Sequence, residues 1–102
     1  MRHITPPIHP GEILREEYLL PLEMRPYTLA KRLNVPRTRI ERLVAEKTAV
    51  SPDTALRLGR FFDTTAQYWM NMQAAFDLAT EAESKKADIA AIEPYTEPKR
   101  AA

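Results

Sequence analysis

Hydrophobic positions along this 102-residue chain recur at spacings of three and four. Strand-like alternation is absent, so the pattern predicts an all-α fold. Ile13, Leu14 and Tyr18 mark a first helix that opens at His9-Pro10-Gly11-Glu12. Proline is tolerated there because a first-turn N–H would lack an intrahelical partner anyway, and Glu12 complements the positive helix end. Pro21 disfavours the helical conformation in Leu20, so this helix is expected to stop near Leu19. Leu29, Ala30 and Leu33 mark a second helix beginning at Pro26, and Ile40, Leu43 and Val44 a third over about 36–46. Ser51-Pro52-Asp53 carries the start signals of a fourth: a serine cap, a proline and an acid in the first turn. On it Leu58 and Phe62 lie four apart and should face the core together. Gly59 costs about 1 kcal/mol relative to alanine within a helix, which a close approach to a neighbouring helix would justify. Asp63-Thr64-Thr65 ends that helix and caps a fifth over about 66–85. Its stripe of Trp69, Met72, Phe76 and Ala79, widened by Tyr68, Ala75 and Leu78, reads as core or dimer interface rather than a cofactor site. A helix this long exceeds what one small domain covers, so part of it should pair with a second protomer or a partner protein.

The chain is organised around residues 27–47, where the second pattern runs through Asn34-Val35-Pro36 into the third. Two helices joined by so short a turn make a helix-turn-helix, which presents its second helix to the DNA major groove. At about 100° per residue, Ile40, Leu43 and Val44 share one face of that helix, and Arg37, Thr38, Glu41 and Arg42 share the other. Arginine can donate two parallel hydrogen bonds to guanine O6 and N7, and threonine can meet a base edge or a thymine methyl. Residues 25–47 carry seven basic and two acidic side chains. An ordinary solvated helix face is the plainer reading of that charge, but turn spacing and the Arg/Thr face together favour DNA. Arg25 stands where an N-cap would be and cannot accept the orphan helix N–H bonds. Those groups are left for a DNA phosphate, for Thr28 or for water.

Composition narrows the remaining classes. There are no cysteines, hence no disulfide framework and no Cys-based zinc site. Two glycines and nine prolines argue against phosphate-cradling glycine loops and for punctuated helices. The net charge of +1 hides an asymmetry: residues 1–62 hold eleven basic and seven acidic side chains, and residues 63–102 four and seven. One part suited to nucleic acid and another suited to a different partner would produce that split. Apolar stretches are short and interrupted, so no signal peptide or membrane span is expected and a cytoplasmic location follows. Residues 1–86 read as one helix-turn-helix domain, preceded by a polar, extended or mobile arm (MRHITPP), and 87–102 as a loosely ordered, acidic, proline-containing tail. His3 and His9 are too weak a pair for a metal site. With no nucleophile–base–acid grouping, neither an enzyme nor a cofactor is expected.

Several stretches together resemble the HigA-type antitoxins, also called VapI-like. They are His9-Pro10-Gly11-Glu12-Ile13-Leu14, then Leu29-Ala30 with Leu33-Asn34-Val35, then Ser51-Pro52-Asp53-Thr54-Ala55-Leu56-Arg57-Leu58, then Phe62-Asp63-Thr64 with Tyr68-Trp69-Met70-Asn71-Met72-Gln73. The resemblance spans roughly residues 8–79 and implies a five-helix domain of the phage-repressor type. It further implies a dimer that binds a palindromic double-stranded operator and represses its own operon. A cognate HigB-like toxin, a RelE-like mRNA endonuclease, would be the protein partner. By position, Arg37, Thr38 and Arg42 are the base-reading candidates, while Tyr27 and Lys47 match positions that touch phosphate. Arg39 lies to the side, where a phosphate contact or a salt bridge is expected. Trp69, Met72 and Phe76 are the core or dimer-interface candidates. The chain departs from the family pattern at Arg25 and Pro36, where serine or threonine often opens each helix. Glu41 also enters the DNA-facing arc, either to accept from a cytosine or to hold Arg37 or Arg42. The competing readings are a phage-repressor-like regulator without a toxin and a protein-interaction module whose basic helix meets an acidic surface.

Overall fold

The first helix does not stop before its proline. The computed structural model describes residues 7–98, and in it α1 runs through Pro10–Ile13, a π-helical stretch Leu14–Leu19, and Leu20–Leu22. Leu20 N–H bonds to the Arg15 carbonyl five residues back. That wider turn relieves the clash of the Pro21 ring with the carbonyl four residues before it. The expected stop near Leu19 is therefore corrected to Leu22, after which Glu23 turns the chain in the left-handed conformation.

Five further helices follow among the described residues: α2 (Pro26–Leu33), α3 (Arg37–Val44), α4 (Pro52–Phe62), α5 (Ala66–Ser84) and α6 (Lys86–Ala90). Asn34 closes α2 at φ 58°, a conformation asparagine tolerates at a helix end. Ser51 caps α4 by accepting from Thr54 N–H, and Thr65 caps α5 by accepting from Tyr68 N–H. The stretch read from the sequence as loose tail thus begins with a short helix, and residues 93–98 have no regular structure.

Helix α1 packs on α3 and α5, α2 on α3 and α4, and α4 on α5. The core they enclose contains Leu14 from α1, Leu29 from α2, Ile40 and Leu43 from α3, Leu58 from α4 and Trp69 from α5. Phe62, expected to share the core with Leu58, is only half-buried. Gly59 is buried against the turn into α5 rather than a helix face: a β-carbon there would lie 3.0 Å from Ala66 N. Every residue from 77 to 98 is exposed. The radius of gyration is 18.9 Å, against about 13 Å for a compact chain of this size. The end of α5 and α6 therefore project from the five-helix body. No helix among the described residues is long and apolar enough to cross a membrane.

Candidate nucleic-acid interface

Burial of Ile40, Leu43 and Val44 fixes the rotation of α3 and leaves Arg37, Thr38, Arg39 and Arg42 exposed. Thr38 and Arg42 stand opposite the buried stripe, about half a turn from its centre. Arg37 and Glu41 share the flank next to α2, and Arg39 occupies the flank next to α4.

Three devices hold this helix. At its C-terminal end, Arg15 of α1 donates to the Val44 carbonyl and pairs with the Glu46 carboxylate at 3.3 Å. The hydrogen bond to Glu16, with Glu46 adding to it against the opposing effect of burial, raises the Arg15 pKa above the ordinary arginine value. Beside it, α1 meets α3 backbone to backbone: a β-carbon on Gly11 would lie 1.9 Å from the Leu43 carbonyl oxygen. His9 sets that approach. Its Nδ1 accepts from Gly11 N–H at 2.8 Å, capping α1, and its ring meets Phe76 edge-on at 4.8 Å. His9 is buried at the N-cap of α1, where the sequence has the first helix open; His3 lies outside the described residues.

On the α4 flank, Arg39 pairs with Asp53, which pairs with Arg57 at 3.0 Å. Arg57 donates to the Leu33 carbonyl at 2.7 Å, so the end of α2, the recognition helix and the start of α4 are tied together. The hydrogen bond from Arg39, then that from Arg57, holds the Asp53 carboxyl below its usual pKa. The salt bridge expected for Arg39 is therefore formed, with Asp53 as its partner.

The third device is Gln73. Buried on α5, it accepts from Val50 N–H at 2.8 Å and donates to Asp77 at 2.8 Å, which pins the loop leaving α3. Sequence patterning gives Gly11, Arg57 and Gln73 only as members of longer motifs, with no role of their own, and does not reach Arg15. For His9, the proline directly after it was a usable signal, since a residue before a first-turn proline occupies the N-cap.

The outer face is basic and open. Two cations approach the Tyr27 ring, with Lys31 Nζ 5.9 Å and the Arg37 guanidinium 5.6 Å from its centroid. Arg37 Nε lies 3.3 Å from a Glu41 carboxylate oxygen. Lys47 is exposed beyond the end of α3. Neither α2 nor α3 has a side-chain cap at its N-terminus, so the departures at Arg25 and Pro36 leave first-turn amides without a side-chain partner.

The three residues read as core or dimer interface separate. Trp69 is wholly buried, its Nε1 donating to Thr64 Oγ1 at 2.9 Å. Met72 and Phe76 are half-buried and line an apolar groove of about 490 Å³ with Ile8, Ile13, Ala75 and Ala79.

The whole arrangement has solved counterparts. The Pseudomonas aeruginosa antitoxin HigA, solved with the higBA promoter, is 45% identical with a TM-score of 0.85, over 88% of this chain and 99% of that one. The chain belongs to the HigA family of helix-turn-helix antitoxins. Antitoxin GraA in complex with its operator matches at 36% identity and a TM-score of 0.85, over 95% of this chain and 99% of that one. Virulence-associated protein I of Dichelobacter nodosus is 50% identical over 91 residues, 89% of this chain and 83% of the relative. No family model matches. The HigA family consists of DNA-binding regulators, not enzymes.

Proposed function

We propose that this HigA-family chain binds an operator upstream of its own gene as a homodimer and represses transcription there. It also neutralises a HigB-like mRNA endonuclease toxin by direct binding in the cytoplasm. The observation that carries the DNA reading is the exposed Arg37, Thr38 and Arg42 face on a helix fixed at its far end and along one flank. A rigid helix with a basic outer face suits major-groove reading. Relatives solved on promoter or operator DNA, at TM-scores of 0.85, support the same mode.

Arg37, Thr38 and Arg42 are the proposed base readers. Tyr27, Lys47 and the uncapped α2 amides take phosphate. Arg39 acts through Asp53, orienting α3 and adding positive charge beside the backbone. The groove at Met72 and Phe76, lined by apolar side chains, receives the second protomer, and the symmetric pair meets an operator with half-site centres about 34 Å, or a multiple, apart. The deciding experiment is a gel-shift titration on the DNA upstream of the gene and on random DNA, at two salt concentrations. A preference of about a thousandfold, with affinity falling as salt rises, supports the repressor. Equal weak binding to both would leave a protein-interaction module. Co-purification with the neighbouring gene product separates an antitoxin from a regulator without a toxin.

A further inference from the structure

The recognition helix carries a carboxylate where a DNA-binding surface should avoid one. Glu41 lies on the flank shared with Arg37, a turn further along, in a face whose other chemistry is positive. A carboxylate at that place repels phosphate, so it weakens binding to any DNA unless it performs a compensating task.

The geometry supplies the task. Glu41 places a carboxylate oxygen 3.3 Å from the ε-nitrogen of Arg37, the innermost of the three guanidinium nitrogens. From the α2 side, the Tyr27 ring limits the guanidinium with its centroid 5.6 Å away. Lys31 shares that ring at 5.9 Å, so a second positive charge stands close to the same ring. A long side chain with many rotamers is thereby held at one edge and against one ring. The end that remains is the two-pronged fork that matches guanine O6 and N7. Holding the fork in place before binding reduces the entropy lost when it docks, and this gain applies only where a guanine is present to receive it.

We propose that Glu41 is a specificity-determining residue: with Tyr27 it presets Arg37 to read one guanine per half-site, and its charge penalises DNA that offers none. This rests on the operator-binding reading above. Glu41 and Tyr27 are positioning residues, and Arg37 makes the base contact. The arrangement trades affinity for discrimination, the usual consequence of placing a repulsive group beside an attractive one.

The test uses the full chain and duplexes of its upstream DNA in which each guanine in turn is replaced by 7-deazaguanine, which lacks the N7 acceptor. With the unaltered protein, one replacement per half-site should weaken binding about tenfold, the loss of part of a bidentate contact. Arg37→Ala should be indifferent to that same replacement, which assigns the contact. Glu41→Ala should cut the penalty to about threefold or less while binding random DNA more tightly, as removal of a negative charge beside phosphate requires. Tyr27→Phe keeps the ring and should retain the penalty, whereas Tyr27→Leu should reduce it. Glu41 is on the surface, and an unchanged melting temperature would confirm that its variant folds. A full deaza penalty and unchanged random-DNA affinity in Glu41→Ala would overturn the proposal while leaving operator binding intact. If no guanine is sensitive with the unaltered protein, Arg37 does not read N7 and the proposal falls. An unaltered protein with no preference for its upstream DNA removes the underlying reading as well, an outcome seen before any variant is made.

Discussion

Gly11 and Leu43 meet backbone to backbone, so closely that a β-carbon on Gly11 would lie 1.9 Å from the Leu43 carbonyl oxygen. The contact joins the first turn of α1 to the last turn of the recognition helix. Neither partner in it is a flexible side-chain end that could move aside. Any residue but glycine at position 11 must displace one helix from the other.

Gly11→Ala is accordingly expected to shift α3 and to destabilise the protein by about 1–3 kcal/mol, the usual range for overpacking. At this chain length each kcal/mol lowers the melting temperature by about 4–8 °C. Thermal melting measures the loss, and titration on the upstream DNA at a temperature where the variant is still folded measures the displacement. Operator affinity should fall in the folded variant. An unchanged melting point and affinity would mean that α1 does not set the position of α3.

Trp69 belongs to the protomer's own core. It is wholly buried, Tyr18 packs on it at 5.2 Å, and its indole N–H is satisfied by Thr64. Trp69→Ala should therefore cost about 3–5 kcal/mol and unfold the protein rather than merely separate two protomers. Trp69→Phe keeps most of the packing and gives up the hydrogen bond, so a smaller loss of about 1 kcal/mol is expected. Denaturant unfolding followed at two protein concentrations distinguishes the cases. A folded monomeric Trp69→Ala protein would return Trp69 to the interface.

The helix-turn-helix was legible because its signals are local. Ile40, Leu43 and Val44 repeat with the helix period, Asn34 accepts the left-handed turn, and Ser51 and Thr65 announce their helices. Beyond a salt bridge at Arg39, what holds the recognition helix was not legible, because the remaining ties join distant side chains to main-chain atoms. Arg15 reaches Val44, Arg57 reaches Leu33 and Gln73 reaches Val50. A polar side chain that ends on a backbone carbonyl or N–H leaves no pattern of residue types to read. The π stretch in α1 was hidden for a related reason. Pro21 signals a stop, but a wider turn before it evades the clash that the stop assumes.

Arg42 and Lys47 should separate base reading from phosphate binding. Both are exposed at the C-terminal end of the recognition segment, but Arg42 stands opposite the buried stripe, and Lys47 follows the helix. Arg42→Ala should cost about 1–3 kcal/mol on the upstream DNA and relax preference at one base pair. Lys47→Ala should weaken binding equally on upstream and random DNA and reduce the salt slope by about one. Titrations at several salt concentrations on both DNAs decide. Equal losses on the two DNAs for Arg42→Ala would move that residue to the phosphate group.

Alkaline pH should destabilise the protein through Tyr18. Burial, then the hydrogen bond with Tyr68 at 3.4 Å, pushes the Tyr18 pKa up from 10.0 to about 12. The folded state therefore keeps its proton where the unfolded chain has lost it. Between the two pKa values the folded state binds more protons, so stability must fall as pH rises. The contribution is fully present below about pH 10, the ordinary tyrosine value, and declines through the interval up to the folded pKa. Tyr18→Phe keeps the ring that packs on Phe62 and Trp69 and removes the titrating group. Melting temperatures of the two proteins should run parallel from pH 7 to 9 and converge, or cross, between pH 10 and 12. Parallel curves throughout would mean that the Tyr18 hydroxyl ionises as freely in the folded protein as in the unfolded chain, and that its burial against Phe62, Tyr68 and Trp69 is looser than the structure has it.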